Sequence, residues 1–213
     1  MTDKIYETRQ LRFWRGEFGD DYVRRNEVTA ERMRQRLKMW ARILRSLAHA
    51  SPASILEVGA NIGLNLRALR ALTGADLYAL EPNRSARQRL IDDGVVPGGR
   101  AIDGTAAEIP MADAAVDMVF TSGVLIHVPP AELLPACKEM HRVARRYLLS
   151  IEYFSKSPEE RPYRGRSGLL FKRDFGAYWL ENFSDLEVVD YGFFWKPATG
   201  LDDLNWWLFR KAG

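Results

Sequence analysis

The chain has 213 residues, 46 % of them hydrophobic and 28 % charged, with a formal net charge of +3. These values suit one globular domain with a sizeable core, and the mildly basic excess would suit an acidic substrate but is too small and scattered to argue a nucleic-acid partner. The single cysteine, Cys137, excludes a disulfide framework and a thiolate metal cluster; no apolar run approaches a bilayer span and no secretory leader is visible, so a cytoplasmic protein without a metal is expected.

Residues 1–28 are too aromatic for a disordered tail: Tyr6, Phe13, Trp14, Phe18 and Tyr22 are interleaved with Arg24 and Arg25. The stretch 13–26 contains Gly16 and Gly19 and reads as a structured loop between helices. Two expectations stand for it. It packs the N-terminal segment onto the core, or it closes as a lid over a ligand and brings Tyr22, Arg25 or Asn26 to it. From 29 to 47 the apolar residues Met33, Leu37, Trp40, Leu44 and Leu47 recur every three or four positions, which predicts an amphipathic helix. Its arginines and Lys38 are assigned to the solvated face, and His49 to solvent.

Ser54–Val58 is a short apolar run that reads as a buried strand. A tight turn with Gly59 and Gly63 follows, then a helical pattern with Leu66, Leu69 and Leu72 that stops at Gly74. Strand, glycine turn and helix open a doubly wound α/β sheet. Gly59 is expected to let the chain turn sharply and Gly63 to let backbone approach a ligand. The dinucleotide fingerprint is not met, because Asn61 and Leu64 stand where its second and third glycines belong.

Asp76–Leu80 reads as strand two and ends at Glu81-Pro82-Asn83, about 20 residues past the glycines, where a carboxylate suits a ribose diol. Pro82 ends the strand and Ser85 is expected to cap the next helix. Residues 100–102 read as strand three, ending at Asp103-Gly104-Thr105. Residues 117–121 read as strand four, running into Ser122-Gly123-Val124-Leu125-Ile126-His127-Val128. Each feature lies at the C-terminal end of a strand, the edge at which open α/β sheets bind ligands. Pro129 and Pro130 open a helix that reaches Val143. On it Cys137 packs as a small apolar residue and His141 is structural or exposed. Strand five, 147–151, ends at Glu152-Tyr153. Residues 154–169, with Pro158, Pro162, Gly165 and Gly168, read as a polar, turn-rich connection long enough to be functional. A helix over 171–183 and two strands, 187–195 and 205–210, complete the chain.

The pattern Glu57-x-Gly59-x-Asn61-x-Gly63, followed in order by Glu81, Asp103 and the 122–128 loop, resembles the cofactor site of class I methyltransferases. These bind S-adenosylmethionine (SAM) and release S-adenosylhomocysteine. Their commonest first motif has glycine where Asn61 stands, and asparagine is a known variant. The resemblance implies a Rossmann-like α/β fold. Its seven-stranded, mostly parallel sheet has the order 3-2-1-4-5-7-6, with helices on both faces. It also implies a single domain, 1–213, with residues 1–50 as an N-terminal helical segment and lid over a core of 51–213. The implied cofactor residues are Tyr22, Arg25, Glu57, Gly59, Ala60, Asn61, Gly63, Glu81, Pro82, Asp103, Gly104, Thr105, Ser122 and Gly123, with Asp103 meeting the adenine amino group.

Together with the 13–26 stretch, the variant first motif and the 123–128 loop further resemble the methylases associated with pseudaminic acid biosynthesis. That implies a small-molecule acceptor, a nonulosonic sugar acid or its nucleotide-linked form. Methyl transfer is an in-line displacement, and an alcohol acceptor must also lose a proton. His127, on the loop expected to face the methyl, is the candidate base; the alternative is that it braces the loop or orients the cofactor. Glu152 and Tyr153 are further candidates for the base or for substrate binding. Arg164, Arg166 and Lys172 are candidates for a sugar carboxylate.

Two rivals share the fold. An RNA or tRNA methyltransferase would show a dense basic face. The Asx-Pro-Pro-aromatic signature of nucleobase amino methylation also fails here, because Val128 precedes Pro129 and Ala131 follows Pro130. A non-catalytic SAM-binding protein would show decayed motifs, whereas Gly59, Gly63, Glu81 and Asp103 are all present.

Overall fold

The computed structural model describes residues 9–212, so Tyr6 lies outside the described residues. Three helices come first: α1 (Arg9–Arg15), α2 (Glu17–Arg25) and α3 (Ala30–Arg45). Then follow β1 (Ser54–Val58), α4 (Leu64–Leu72), β2 (Asp76–Leu80), α5 (Arg84–Asp92), β3 (Ala101–Ile102) and β4 (Val116–Ser122). The second half holds α6 (Pro130–Val143), β5 (Ala144–Glu152), β6 (Glu159–Tyr163), β7 (Arg166–Lys172), α7 (Phe175–Asn182), β8 (Leu186–Phe194), α8 (Lys196–Thr199) and β9 (Leu204–Lys211).

The main sheet has the order β3-β2-β1-β4-β5-β9-β8. With the separate hairpin β6–β7 set aside, this is the expected 3-2-1-4-5-7-6. Neighbours from β3 to β5 pair in parallel, and β9 is antiparallel to both β5 and β8. Buried side chains alternate between the two faces with the strand period of two. On one face Ile55, Met118, Phe120 and Leu149 pack with Met39, Trp40, Ile43 and Leu66 from α3 and α4. On the other, Leu56, Val58, Val119 and Leu148 pack with Leu133, Cys137 and Met140 of α6 and Trp179 of α7. Glu57 therefore faces the α3 and α4 side, between two residues that face the other way.

Four local expectations are corrected. Residues 13–26 are not a loop but the end of α1 and the whole of α2, broken at Gly16 and capped at Asn26. Trp14, Phe18 and Tyr22 recur at helical spacing, with ring centroids 5.5 Å apart for Trp14–Phe18 and for Trp14–Tyr22. Gly19 is there for packing, since a Cβ on it would stand 1.8 Å from the Trp14 carbonyl oxygen. Asn83, not Ser85, caps α5: its side chain accepts from Ala86 N–H at 2.9 Å. Ser85 instead donates to Asp20 and ties α5 to α2. Residues 154–169 are not structureless, because they contain β6 and the start of β7. The turn is Arg164-Gly165, both left-handed (φ +49° and +75°), the geometry that twisted two-residue hairpins require. Finally, the helix predicted from 171 begins only at Phe175, because Asp174 caps it by accepting from Ala177 N–H.

Candidate active site

A cavity of about 470 Å³ opens at the C-terminal edge of β1, β2 and β4, beneath α1 and α2. Its floor is the turn after β1. The N–H groups of Gly59 and Ala60 both donate to the Leu80 carbonyl, at 2.7 and 3.2 Å, so the turn folds over the end of β2. Asn61 is left-handed (φ +47°), which asparagine tolerates better than other side-chain-bearing residues; this accounts for its standing at a glycine position. Gly63 does not approach a ligand as expected. A Cβ on it would meet Leu90 at 2.6 Å and Val95 at 2.9 Å, so its role is close packing of α4 on α5, and it does not line the cavity.

The Glu81 carboxylate is held at both oxygens: Oε2 accepts from Asn61 N–H (2.7 Å) and Oε1 from Asn83 N–H (2.9 Å). Burial pushes its pKa up, and those two donors oppose the shift. Each oxygen keeps a second lone pair for a hydroxyl in the cavity. Pro82, Gly104, Thr105, Ser122, Gly123 and Tyr22 line the same space.

Glu57 and Arg36 form an unmatched pair in the cavity wall. Asn65 Nδ2 donates to Glu57 Oε1 at 2.6 Å, and Trp40 Nε1 donates to Asn65 Oδ1 at 3.3 Å, but Glu57 Oε2 is buried without a partner. Burial raises the Glu57 carboxyl to about 8. Arg36 Nε and Nη1 are likewise buried without partners, and burial pulls the guanidinium pKa down. Unmatched buried donors and acceptors are costly, and they are retained where a ligand satisfies them. A zwitterionic amino-acid end would satisfy all three atoms, with its carboxylate on Arg36 and its ammonium on Glu57. The amino-acid end of SAM is such a group, so the site fits it. The sequence reading assigned Arg36 to the solvated face of α3. The missed signal is its spacing, three residues after Met33 and four before Trp40, which sets it beside the buried stripe.

Other expected site residues lie elsewhere. Asp103 is half-exposed and bridges Arg15 and Arg87, each at 3.1 Å; it ties α1 to α5 and does not line the cavity. Arg25 is exposed, over the outer face of Phe18 at 5.5 Å. Glu152 is fully buried below the 122–128 loop and accepts from the N–H groups of Val124, Leu125 and Ile126 at 3.2, 3.1 and 3.4 Å. Its carboxyl is raised to about 7 by burial, but its lone pairs face the loop backbone, so it braces that loop rather than facing a substrate. The Tyr153 hydroxyl donates to Asp202 at 2.8 Å, and both burial and that bond push its pKa up. Tyr153 is therefore a poor base and does not line the cavity. Arg164, Arg166 and Lys172 lie over the rings of Tyr163, Phe13 and Tyr153, outside the cavity lining.

His127 does line the cavity. Trp14 meets its ring edgewise at 5.1 Å from one side and Tyr163 at 4.8 Å from another. Its Nδ1 lies 2.6 Å from the Leu169 carbonyl oxygen. A carbonyl only accepts, so Nδ1 carries the proton and the neutral ring leaves Nε2 as a free base. Burial lowers its pKa, with the Leu169 bond opposing, so the neutral form dominates at pH 7.

A family model described as "Methyltransferase domain" matches residues 56–147. No curated protein matches the chain. Among solved structures, a SAM-dependent methyltransferase from Leishmania major is similar at 18 % identity and a TM-score of 0.72, covering 95 % of this chain and 86 % of that one. A Burkholderia thailandensis 1,6-didemethyltoxoflavin-N1-methyltransferase, solved with its acceptor and S-adenosylhomocysteine, is similar at 18 % identity and 0.65, covering 92 % and 83 %. Magnesium protoporphyrin IX methyltransferase from Synechocystis, with bound SAM, is similar at 13 % identity and 0.63, covering 94 % of each chain. The domain match and the sheet order define a SAM-dependent methyltransferase of the class I fold, with SAM as its cofactor. No helix among the described residues is long and apolar enough to cross a membrane.

Proposed function

We propose that the chain methylates a small-molecule acceptor at a hydroxyl or amine, and that His127 takes the acceptor's proton. SAM supplies the electrophile, a methyl group on a sulfonium. Arg36 and Glu57 hold its amino-acid end and Glu81 its ribose, while Trp14 and Tyr22 exclude water from above. The observation that carries the reading is the 2.6 Å contact between His127 Nδ1 and the Leu169 carbonyl in the cavity wall, from which a neutral ring with a bare Nε2 follows. A neutral ring also adds no charge beside a sulfonium.

For the acceptor we favour a nonulosonic sugar acid or its nucleotide-linked form. That choice rests on the resemblance of the 13–26, 57–63 and 123–128 stretches alone, since Arg164, Arg166 and Lys172 lie outside the cavity lining. A second reading, a flat heteroaromatic acceptor, is favoured by the Trp14 and Tyr163 rings around His127. The related Burkholderia enzyme takes 1,6-didemethyltoxoflavin. A mass-spectrometric methylation screen with both acceptor classes separates the two. With the acceptor found, His127→Ala is expected to lower turnover by about 10²–10⁴-fold and to abolish an acid limb lying below pH 6.5. Turnover within a few-fold of the parent protein would overturn the base assignment.

A further inference from the structure

The hydrogen bond that fixes the His127 tautomer comes from the hairpin, not from the sheet that carries the cofactor site. Leu169, its partner, lies on β7, 42 residues along the chain from His127. The carbonyl of the preceding residue, Gly168, accepts from Gln10 Nε2 of α1 at 3.0 Å, across 158 residues. Gly168 N–H in turn donates to the Glu160 side chain on β6 at 2.5 Å, and its backbone is left-handed (φ +77°). The N–H and the C=O of Gly168 are thus both held by side chains, one from β6 and one from α1. Gln10 itself lines the cavity, and Trp14, one helical turn further along α1, lies against the His127 ring.

We propose that Gln10 is a positioning residue: closure of α1 onto the hairpin clamps the Gly168-Leu169 backbone so that the Leu169 carbonyl accepts a hydrogen bond from Nδ1–H of His127, holding the proton there and leaving Nε2 free. A carbonyl shifted by a fraction of an ångström would lengthen this 2.6 Å bond, and an imidazole released from it exchanges its proton between the two nitrogens. The N-terminal helices then do more than cover the cofactor, because their docking sets which nitrogen of His127 is basic. The inference rests on His127 being the base, but its tautomer readout does not require an acceptor.

The experiment is ¹⁵N-histidine NMR on the full chain saturated with S-adenosylhomocysteine at pH 7.5. In the parent protein the His127 resonances are expected to show protonated Nδ1 and bare Nε2. Gln10→Leu should move both nitrogens toward the averaged values of a tautomer mixture, and Gln10→Lys, which restores a donor, should return them toward the parent pattern. An unchanged His127 pattern in Gln10→Leu overturns the proposal, as does failure of Gln10→Lys to restore it. If the tautomer shifts as expected but His127→Ala retains turnover once an acceptor is found, the clamp stands and the role of His127 as base falls.

Discussion

Arg36 is the residue on which the cofactor reading depends most directly. Its guanidinium is buried with two unpartnered nitrogens, so in the free protein it is a cost and with an anionic group beside it a source of affinity. Arg36→Met keeps the length and apolar stem and removes the charge. SAM binding is expected to weaken by about 1.5–3 kcal/mol, the scale of a hydrogen bond to a charged group, or roughly 10- to 150-fold. The free protein should melt no lower than the parent, because an unpaired buried charge has been lost. Calorimetric titration and a thermal melt check both halves. Unchanged SAM affinity would remove Arg36 from the site, and a lower melting temperature would make it a structural residue.

Among elements, legibility followed how local the determinants are. The β1 turn was readable because its glycines, its asparagine and the preceding apolar strand lie within a dozen residues, and Glu81 follows at the interval a second parallel strand imposes. The hairpin β6–β7 was not. Pro162 and a run of charges hide its alternation, an exposed pair of strands tolerates proline, and its partner is a helix from the far end of the sequence. Asp103 and Glu152 stand at strand ends as the pattern requires, yet one is drawn outward by Arg15 and Arg87 and the other downward by three backbone donors. Spacing along the chain carries no information on those long-range partners. Helices α1 and α2 invite a test of their own. Apart from Leu11, their buried apolar contribution among the described residues is Val23, which packs in a small cluster with Ile62 and Ala86, apart from the two main cores. Deleting residues 1–26 should therefore leave a cooperative melt while weakening SAM binding at least tenfold, since Trp14 and Tyr22 no longer cover the cavity. Full affinity in the truncated protein would reduce the pair to packing.

At the scale of the whole molecule, the line Trp40–Asn65–Glu57 joins α3, α4 and β1 through buried polar contacts and ends on the one Glu57 oxygen without a partner. Because burial raises this carboxyl from its ordinary 4.5 to about 8, the free protein at neutral pH holds it as the acid. Its support for the fold is complete below pH 4.5 and is lost as the pH climbs through 8. An ammonium brought against it reverses the preference, and the carboxyl ionises. Cofactor capture at pH 7 should then expel up to one proton into the medium. The heat of SAM binding should accordingly differ between phosphate and Tris in proportion to their ionisation enthalpies, and Glu57→Gln should make the two heats equal. Equal heats in the parent protein would mean that Glu57 keeps its proton throughout. With release, the enzyme takes up its methyl donor more tightly as its surroundings turn alkaline, and each loading event acidifies them slightly.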